Sequence, residues 1–181
     1  MSHRRAVVLL LAMAFDLLIG DPPNRLHPVA WMGNGIGAAK RRAPRRGSAD
    51  AFAWGALIAA GGASAVGTIG RMVAAVCRRL PGVIGVPLEA IVLKSTFAWR
   101  GLRRAAGDVA AALPDDLPAA RRWLSWHLVS RDTSQLTAEQ VAAAAIESVA
   151  ENTSDGIVAP MLYYTLGGLP AALSYRFLNT C

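Results

Sequence analysis

From Ala51 to Gly70 the chain runs twenty residues without a charge, the length an α-helix needs to cross the hydrocarbon core of a bilayer. Inside a bilayer every backbone amide and carbonyl has to be satisfied within the protein, so only helices and closed barrels span it. Gly55, Ala59, Ala63 and Gly67 recur every four positions along this run, forming a small-residue stripe where a neighbouring helix can approach closely. The stripe predicts packing, not chemistry.

The rest of the chain fits the same solvent. With 54% hydrophobic and 17% charged residues and a mean hydropathy of +0.34, it is too apolar for an ordinary soluble domain. A soluble bundle would require Ala51 to Gly70 to be a fully buried core helix. The charges fall in blocks between apolar runs. Arginine-rich blocks such as Lys40 to Arg46 carry the net +7, and their position beside apolar runs marks positive-inside topology instead of a nucleic-acid footprint. Cys77 and Cys181 have no metal-ligand spacing and read as incidental. The first residues imitate a secretory signal, but Asp16 interrupts the run after Ala12-Met13-Ala14, so an uncleaved membrane-entering segment is expected.

The expected fold is all-α: a polytopic integral membrane protein with amphipathic interfacial helices and a candidate re-entrant segment. It is read as a single membrane-embedded domain over residues 1–181, with apolar segments at 6–20, 51–70, 80–99 and 156–175 and a polar, membrane-side segment at 100–155. The first apolar segment is short for a crossing. Residues Asp21 to Pro28 hold three prolines, which remove amide donors and predict a stiff turn. Arg4, Arg5 and the Lys40 block belong on one membrane face, so a hairpin or re-entrant pair is expected between them. The segment 80–99 is imperfect, since Pro81, Pro87, Glu89 and Lys94 fall within it. Glu89 and Lys94 stand about 140° apart around a helix, so a direct pair is not assured, and Glu89 is a candidate to line a site. In the polar segment Trp123, Trp126 and His127 suggest an amphipathic interfacial helix. The last apolar run is interrupted by Pro160, Gly167, Gly168 and Pro170, as a broken or re-entrant helix would be.

The chemistry concentrates between Ser130 and Tyr164, where Arg131, Asp132, Thr133, Glu147, Ser148, Glu151, Asn152 and Asp155 abut an apolar run. Polar groups crowded at a membrane boundary are costly unless they bind something. Thr137-Ala138-Glu139-Gln140 is a capping-box pattern, so a helix is expected from there to about Asn152. At about 100° per residue, Gln140, Glu147, Glu151 and Asp155 fall within roughly 80° of one another. Ala142, Ile146 and Val149 are expected on the opposite face. Acidic groups near a helix C-terminus oppose its dipole, and Glu147 and Glu151 repel each other one turn apart. Something cationic should neutralise them: Arg131, another arginine or a divalent ion. Hard oxygen donors without soft ligands favour Mg²⁺. The bland reading is a solvated face. Ser148 and Thr133 can equally satisfy backbone groups, and Arg131 can pair with Asp132. No nucleotide cradle is recognisable, since Gly33, Gly35 and Gly37 lack a dinucleotide spacing and fit helix packing better.

Two long stretches carry a resemblance. Asp16-Leu-Leu-Ile-Gly-Asp-Pro-Pro-Asn-Arg-Leu-His-Pro-Val-Ala-Trp-Met-Gly33 is one; the other runs from Ser130-Arg-Asp-Thr-Ser-Gln-Leu to Ala145-Ile-Glu-Ser-Val-Ala-Glu-Asn-Thr-Ser-Asp-Gly-Ile-Val-Ala-Pro160. Together they closely resemble the adenosylcobinamide-phosphate synthase family of cobalamin biosynthesis, CobD or CbiB. The resemblance implies a multi-pass inner-membrane, ATP-dependent amide ligase, which joins the f-propionate carboxylate of adenosylcobyric acid to aminopropanol or its phosphate. It implies ATP and Mg²⁺ as cofactors. Its implied partners are the corrinoid, aminopropanol phosphate, the lipid bilayer and other cobalamin-pathway enzymes, with no nucleic acid. A carboxylate is a poor acyl donor, so activation as an acyl phosphate calls for Mg²⁺, positioned cations and a base for the incoming ammonium. On that footing Glu151 and Asp155 are expected to hold Mg²⁺, and Glu147 to take the amine proton. Arg25, His27 and Arg131 would meet phosphate or carboxylate groups, with Asn152 and Asp132 orienting them. Family members usually continue through a further polar motif and more helices, so a chain ending at Asn179-Thr180-Cys181 reads as truncated, its activity doubtful. The competing class is a membrane transporter or scaffold for corrinoid intermediates.

Overall fold

A computed structural model describes residues 3–23, 25, 27–44 and 47–181. Met1, Ser2, Asn24 and Leu26 of the N-terminus and proline turn, and Arg45 and Arg46 of the basic block, lie outside the described residues. The described chain is helical throughout: α1 (His3–Ile19), α2 (Pro28–Arg41), α3 (Ser48–Arg79), α4 (Gly82–Lys94), α5 (Trp99–Ala112), α6 (Leu117–His127), α7 (Ala138–Thr153), a π-helical turn (Ser154–Val158) and α8 (Ala159–Thr180). No strand occurs among these residues. Three helical stretches, Ser48–Arg79, Gly82–Ala112 and Ala138–Thr180, are long and apolar enough to cross a membrane. The chain forms two compact units, Met1–Phe97 with Ala159–Cys181, and Ala98–Val158.

In the first unit α3 lies along α8, α1 packs on α4, and both α1 and α4 touch α8. Val8, Ala12 and Asp16 form the buried face of α1, each one helical turn beyond the last. Leu93, Phe97, Tyr164 and Leu169 complete the core around Val8 and Ala12. The α3–α4 turn depends on Gly85, because a Cβ there would stand 2.0 Å from the Cys77 carbonyl oxygen. Along α8, the small residues of α3 are used only in part. A Cβ on Gly67 would meet Ser174 Oγ at 2.5 Å and one on Gly70 would meet Pro170 Cα at 2.9 Å, yet nothing lies within 4 Å of Gly55. Ser174 Oγ also donates to the Ala63 carbonyl at 2.9 Å.

The apolar segment 80–99 is not one continuous helix. Helix α4 stops at Lys94, where Ser95 Oγ and Thr96 Oγ1 donate back to the Val92 and Leu93 carbonyls, both at 2.7 Å; such local bonds compete with helix continuation. The last run breaks as expected. Gly168 adopts φ 72°, a conformation open to glycine, and Pro170 has no amide to offer the Leu166 carbonyl. Arg5 Nη1 takes over, donating to the Thr165 and Leu166 carbonyls at 3.2 and 3.4 Å. The expected pairing of α1 with α2 is not a close hairpin: α1 rests on α4 and α8, whereas α2 rests on α8 and α3. Nor do the α2 glycines pack closely, for Gly35 has nothing within 4 Å and Gly33 meets only Thr180 at 3.9 Å.

In the second unit α5, α6 and α7 pack pairwise around Val109, Ala120, Leu124, Val141 and Ala144. Asp116 caps α6 by accepting from the Ala119 amide at 2.9 Å. His127 stacks on Trp123 with centroids 5.6 Å apart, and Trp126 meets the same indole edge-on.

Candidate functional site

Helix α7 begins where its capping box dictates. Thr137 Oγ1 accepts from the Gln140 amide at 3.3 Å and the Gln140 side chain accepts from the Thr137 amide at 2.9 Å, satisfying two donors left over at the helix start. The buried face is formed by Val141, Ala144 and Ser148. Here the sequence expectation is corrected. Ile146 is 71% exposed, because in an alanine-rich helix any of several faces can turn inward and the one that fits α5 and α6 does so. Glu147 and Glu151 remain exposed beside that face, one turn apart. Asp155 is exposed too, but it stands on the π-helical turn and not on a continued α-helix. Such i→i+5 turns are found frequently at functional positions.

The neighbouring polar residues are largely committed to local structure. Ser148 Oγ donates to the Leu128 carbonyl at 2.5 Å, and Thr133 Oγ1 donates to the Arg121 carbonyl at 2.8 Å. Asn152 Nδ2 donates to the Ser148 carbonyl at 2.8 Å, which leaves its side-chain oxygen as an acceptor. Asp132 does not pair with Arg131; it accepts from the Ser134 amide and hydroxyl at 2.9 and 3.1 Å. Those bonds, the amide foremost, hold its carboxyl below the usual carboxylate range. Arg131 is exposed.

Among the described residues no three His, Cys, Asp or Glu side chains converge as a metal cage would need. A Mg²⁺ ion needs none, since it commonly keeps several waters and shares one or two carboxylates with substrate phosphates. Glu151 and Asp155, exposed and oxygen-only, fit that sparse mode and no fuller one.

The first unit holds a second polar centre, and its members are mostly residues that read in sequence as interruptions. Lys94 Nζ, on the buried face of α4, lies 3.4 Å from Asp16 Oδ1 and donates to Asp21 Oδ1. His27 Nε2 stands 3.5 Å from the same Asp21 oxygen, while His27 Nδ1 accepts from the Val29 amide at 3.2 Å and so caps α2. Burial by itself would raise the Asp21 pKa, but the hydrogen bonds from His27 and Lys94 outweigh it and the carboxyl sits below its ordinary value. Arg25 is exposed, and its carbonyl accepts from Trp31 Nε1 at 2.9 Å. Glu89, 5% exposed, does not pair with Lys94. It accepts from Arg4 Nη1 at 2.6 Å and from the Tyr164 hydroxyl at 2.9 Å. Both centres are ionisable groups inside an apolar unit, a pattern that marks function more often than decoration. A separate open groove of about 440 Å³ runs between α3 and α8 past Ser64, Arg71 and Ser174; none of the expected site residues lines it.

Buried ion pairs, an acidic helix face and three helices long enough to span a bilayer define a membrane protein of the all-α class. The CobD/Cbib protein family model matches residues 9–181, and the chain belongs to that family. It is 38% identical over 96% of its length to a probable cobalamin biosynthesis protein CobD of Methanothermobacter thermautotrophicus, covering 55% of that protein. It is 38% identical over 94% of its length to a cobalamin biosynthesis protein CbiB of Salmonella arizonae, covering 54%. A probable CobD of Thermococcus kodakarensis is 39% identical over 96% of the chain and is covered to 56%. The chain thus spans about half the length of these curated relatives. No solved structure matches it.

Proposed function

We propose that the chain acts in cobalamin biosynthesis at the cell inner membrane, within an ATP-dependent acid–amine ligase that joins a corrinoid carboxylate to aminopropanol or its phosphate. What carries this reading is the acidic edge of α7: a capped, well-packed helix that keeps Glu147 and Glu151 exposed despite their unfavourable place near its C-terminus. Bound Mg²⁺ and ATP would supply phosphoryl activation of the carboxylate and neutralise the charge that develops. Glu151 and Asp155 would hold the metal. Glu147 would accept the proton that the ammonium loses before its nitrogen attacks, and the free acceptor oxygen of Asn152 would orient the amine. Arg131 in one unit, and Arg25 in the other, are exposed cations suited to phosphate or carboxylate. Two of the expected roles are narrower: His27 is engaged with Val29 and Asp21, and Asp132 with Ser134, so both would act by shaping backbone near Arg25 and Arg131.

The test is formation of the amide from adenosylcobyric acid and aminopropanol phosphate, with ADP and phosphate released in equal amounts. Amide formation without nucleotide consumption would overturn the ligase reading. Binding of the corrinoid with no turnover in any full-length relative would favour the scaffold class instead.

A further inference from the structure

We infer that Lys94 is a positioning residue, whose ammonium ties the Asp21–His27 pair, and through it the first turn of α2 and Arg25, to the buried face of α1 and α4. Its side chain is 7% exposed and lies between Asp16, 1% exposed, and Asp21. Burying such a pair costs more in lost hydration than a well-packed apolar residue would, so stability alone gives little reason for a lysine here. What the ammonium does provide is direction. Asp16 belongs to the core of α1, while Asp21 lies past the end of that helix, and one Nζ reaches both. Asp21 then faces His27 Nε2, His27 Nδ1 holds the Val29 amide, and the His27 carbonyl accepts from the Ala30 and Trp31 amides at 3.0 and 3.2 Å. Trp31 in turn donates to the Arg25 carbonyl. The role assigned to Arg25 rests on the ligase reading; the anchor itself does not.

Hydrogen exchange on the solubilised full chain tests the anchor at the amides of Val29, Ala30 and Trp31. Lys94→Met, and Asp21→Asn, which leaves the buried Lys94–Asp16 pair intact, should each speed exchange there about fivefold, the loss expected of a helix cap. The double variant should exchange no faster than either single one. Asp21→Glu should restore protection, and amides of α3 should not change. In a form that turns over, both single variants should raise KM for the corrinoid acid with kcat nearly constant. Unchanged exchange in the two single variants overturns the proposal, as does faster exchange spread through α3 in Asp21→Asn. Faster local exchange in a protein that makes no amide upholds the anchor and removes only the ligase reading; amide formation with unaltered exchange removes only the anchor.

Discussion

At the residue scale, the acidic side chains of this protein divide into two kinds. Glu147, Glu151 and Asp155 are exposed, whereas Asp16 and Glu89 are buried and ion-paired. Exposure means that Glu151→Ala should change stability by no more than about 0.5 kcal/mol. Turnover should fall by at least the roughly 10–100-fold that loss of a supporting metal contact costs, with the Mg²⁺ requirement shifted to higher concentration in a steady-state titration. Asp21 permits a pH prediction. Hydrogen bonds from His27 and Lys94, winning over burial, depress its pKa below the ordinary 3.8. A depressed carboxyl contributes stability that is complete above its unfolded value and disappears as pH falls through the folded one. Thermal denaturation of the native chain and Asp21→Asn should therefore differ by a constant amount above about pH 5, and the difference should shrink as pH falls below about 4 and close only once the depressed folded pKa has been passed. Of these residues, the exposed acids were legible as a periodic stripe. Asp16 and Lys94 were visible only as faults in apolar runs, because their partners are far away in sequence.

At the element scale, local signals read well and facing surfaces did not. The capping box started α7 where it should, and Gly168 with Pro170 broke α8, since both effects act within a few residues. The buried side of α7 was misjudged because alanine fits inside or outside with little difference in energy, so the neighbouring helices decide. One glycine of α4 and one of the α3 stripe show the same division. Gly85→Ala, which would drive a Cβ into the Cys77 carbonyl, should destabilise the first unit by about 1–3 kcal/mol or more. Gly55→Ala, in open space, should be neutral or raise stability by up to about 1 kcal/mol. Thermal unfolding of the two variants side by side separates a glycine required for close approach from one that is merely small.

At the scale of the whole molecule, the apolar stretches predict that the chain stays with the membrane pellet after an alkaline carbonate wash; release into the supernatant would contradict a spanning topology. The sequence by itself determined the helical class, the apolar segments, the break in the last helix, the cap of α7 and the family, because periodicity, capping and motif length are properties of neighbouring residues. Only the tertiary structure decided that Lys94 joins Asp16 and Asp21, that Glu89 joins Arg4 and Tyr164, and which face of α7 is buried. Charges inside an apolar unit must find partners wherever the packing brings them, and for Arg4 and Glu89 that choice is made between segments 85 residues apart, beyond the reach of any local pattern.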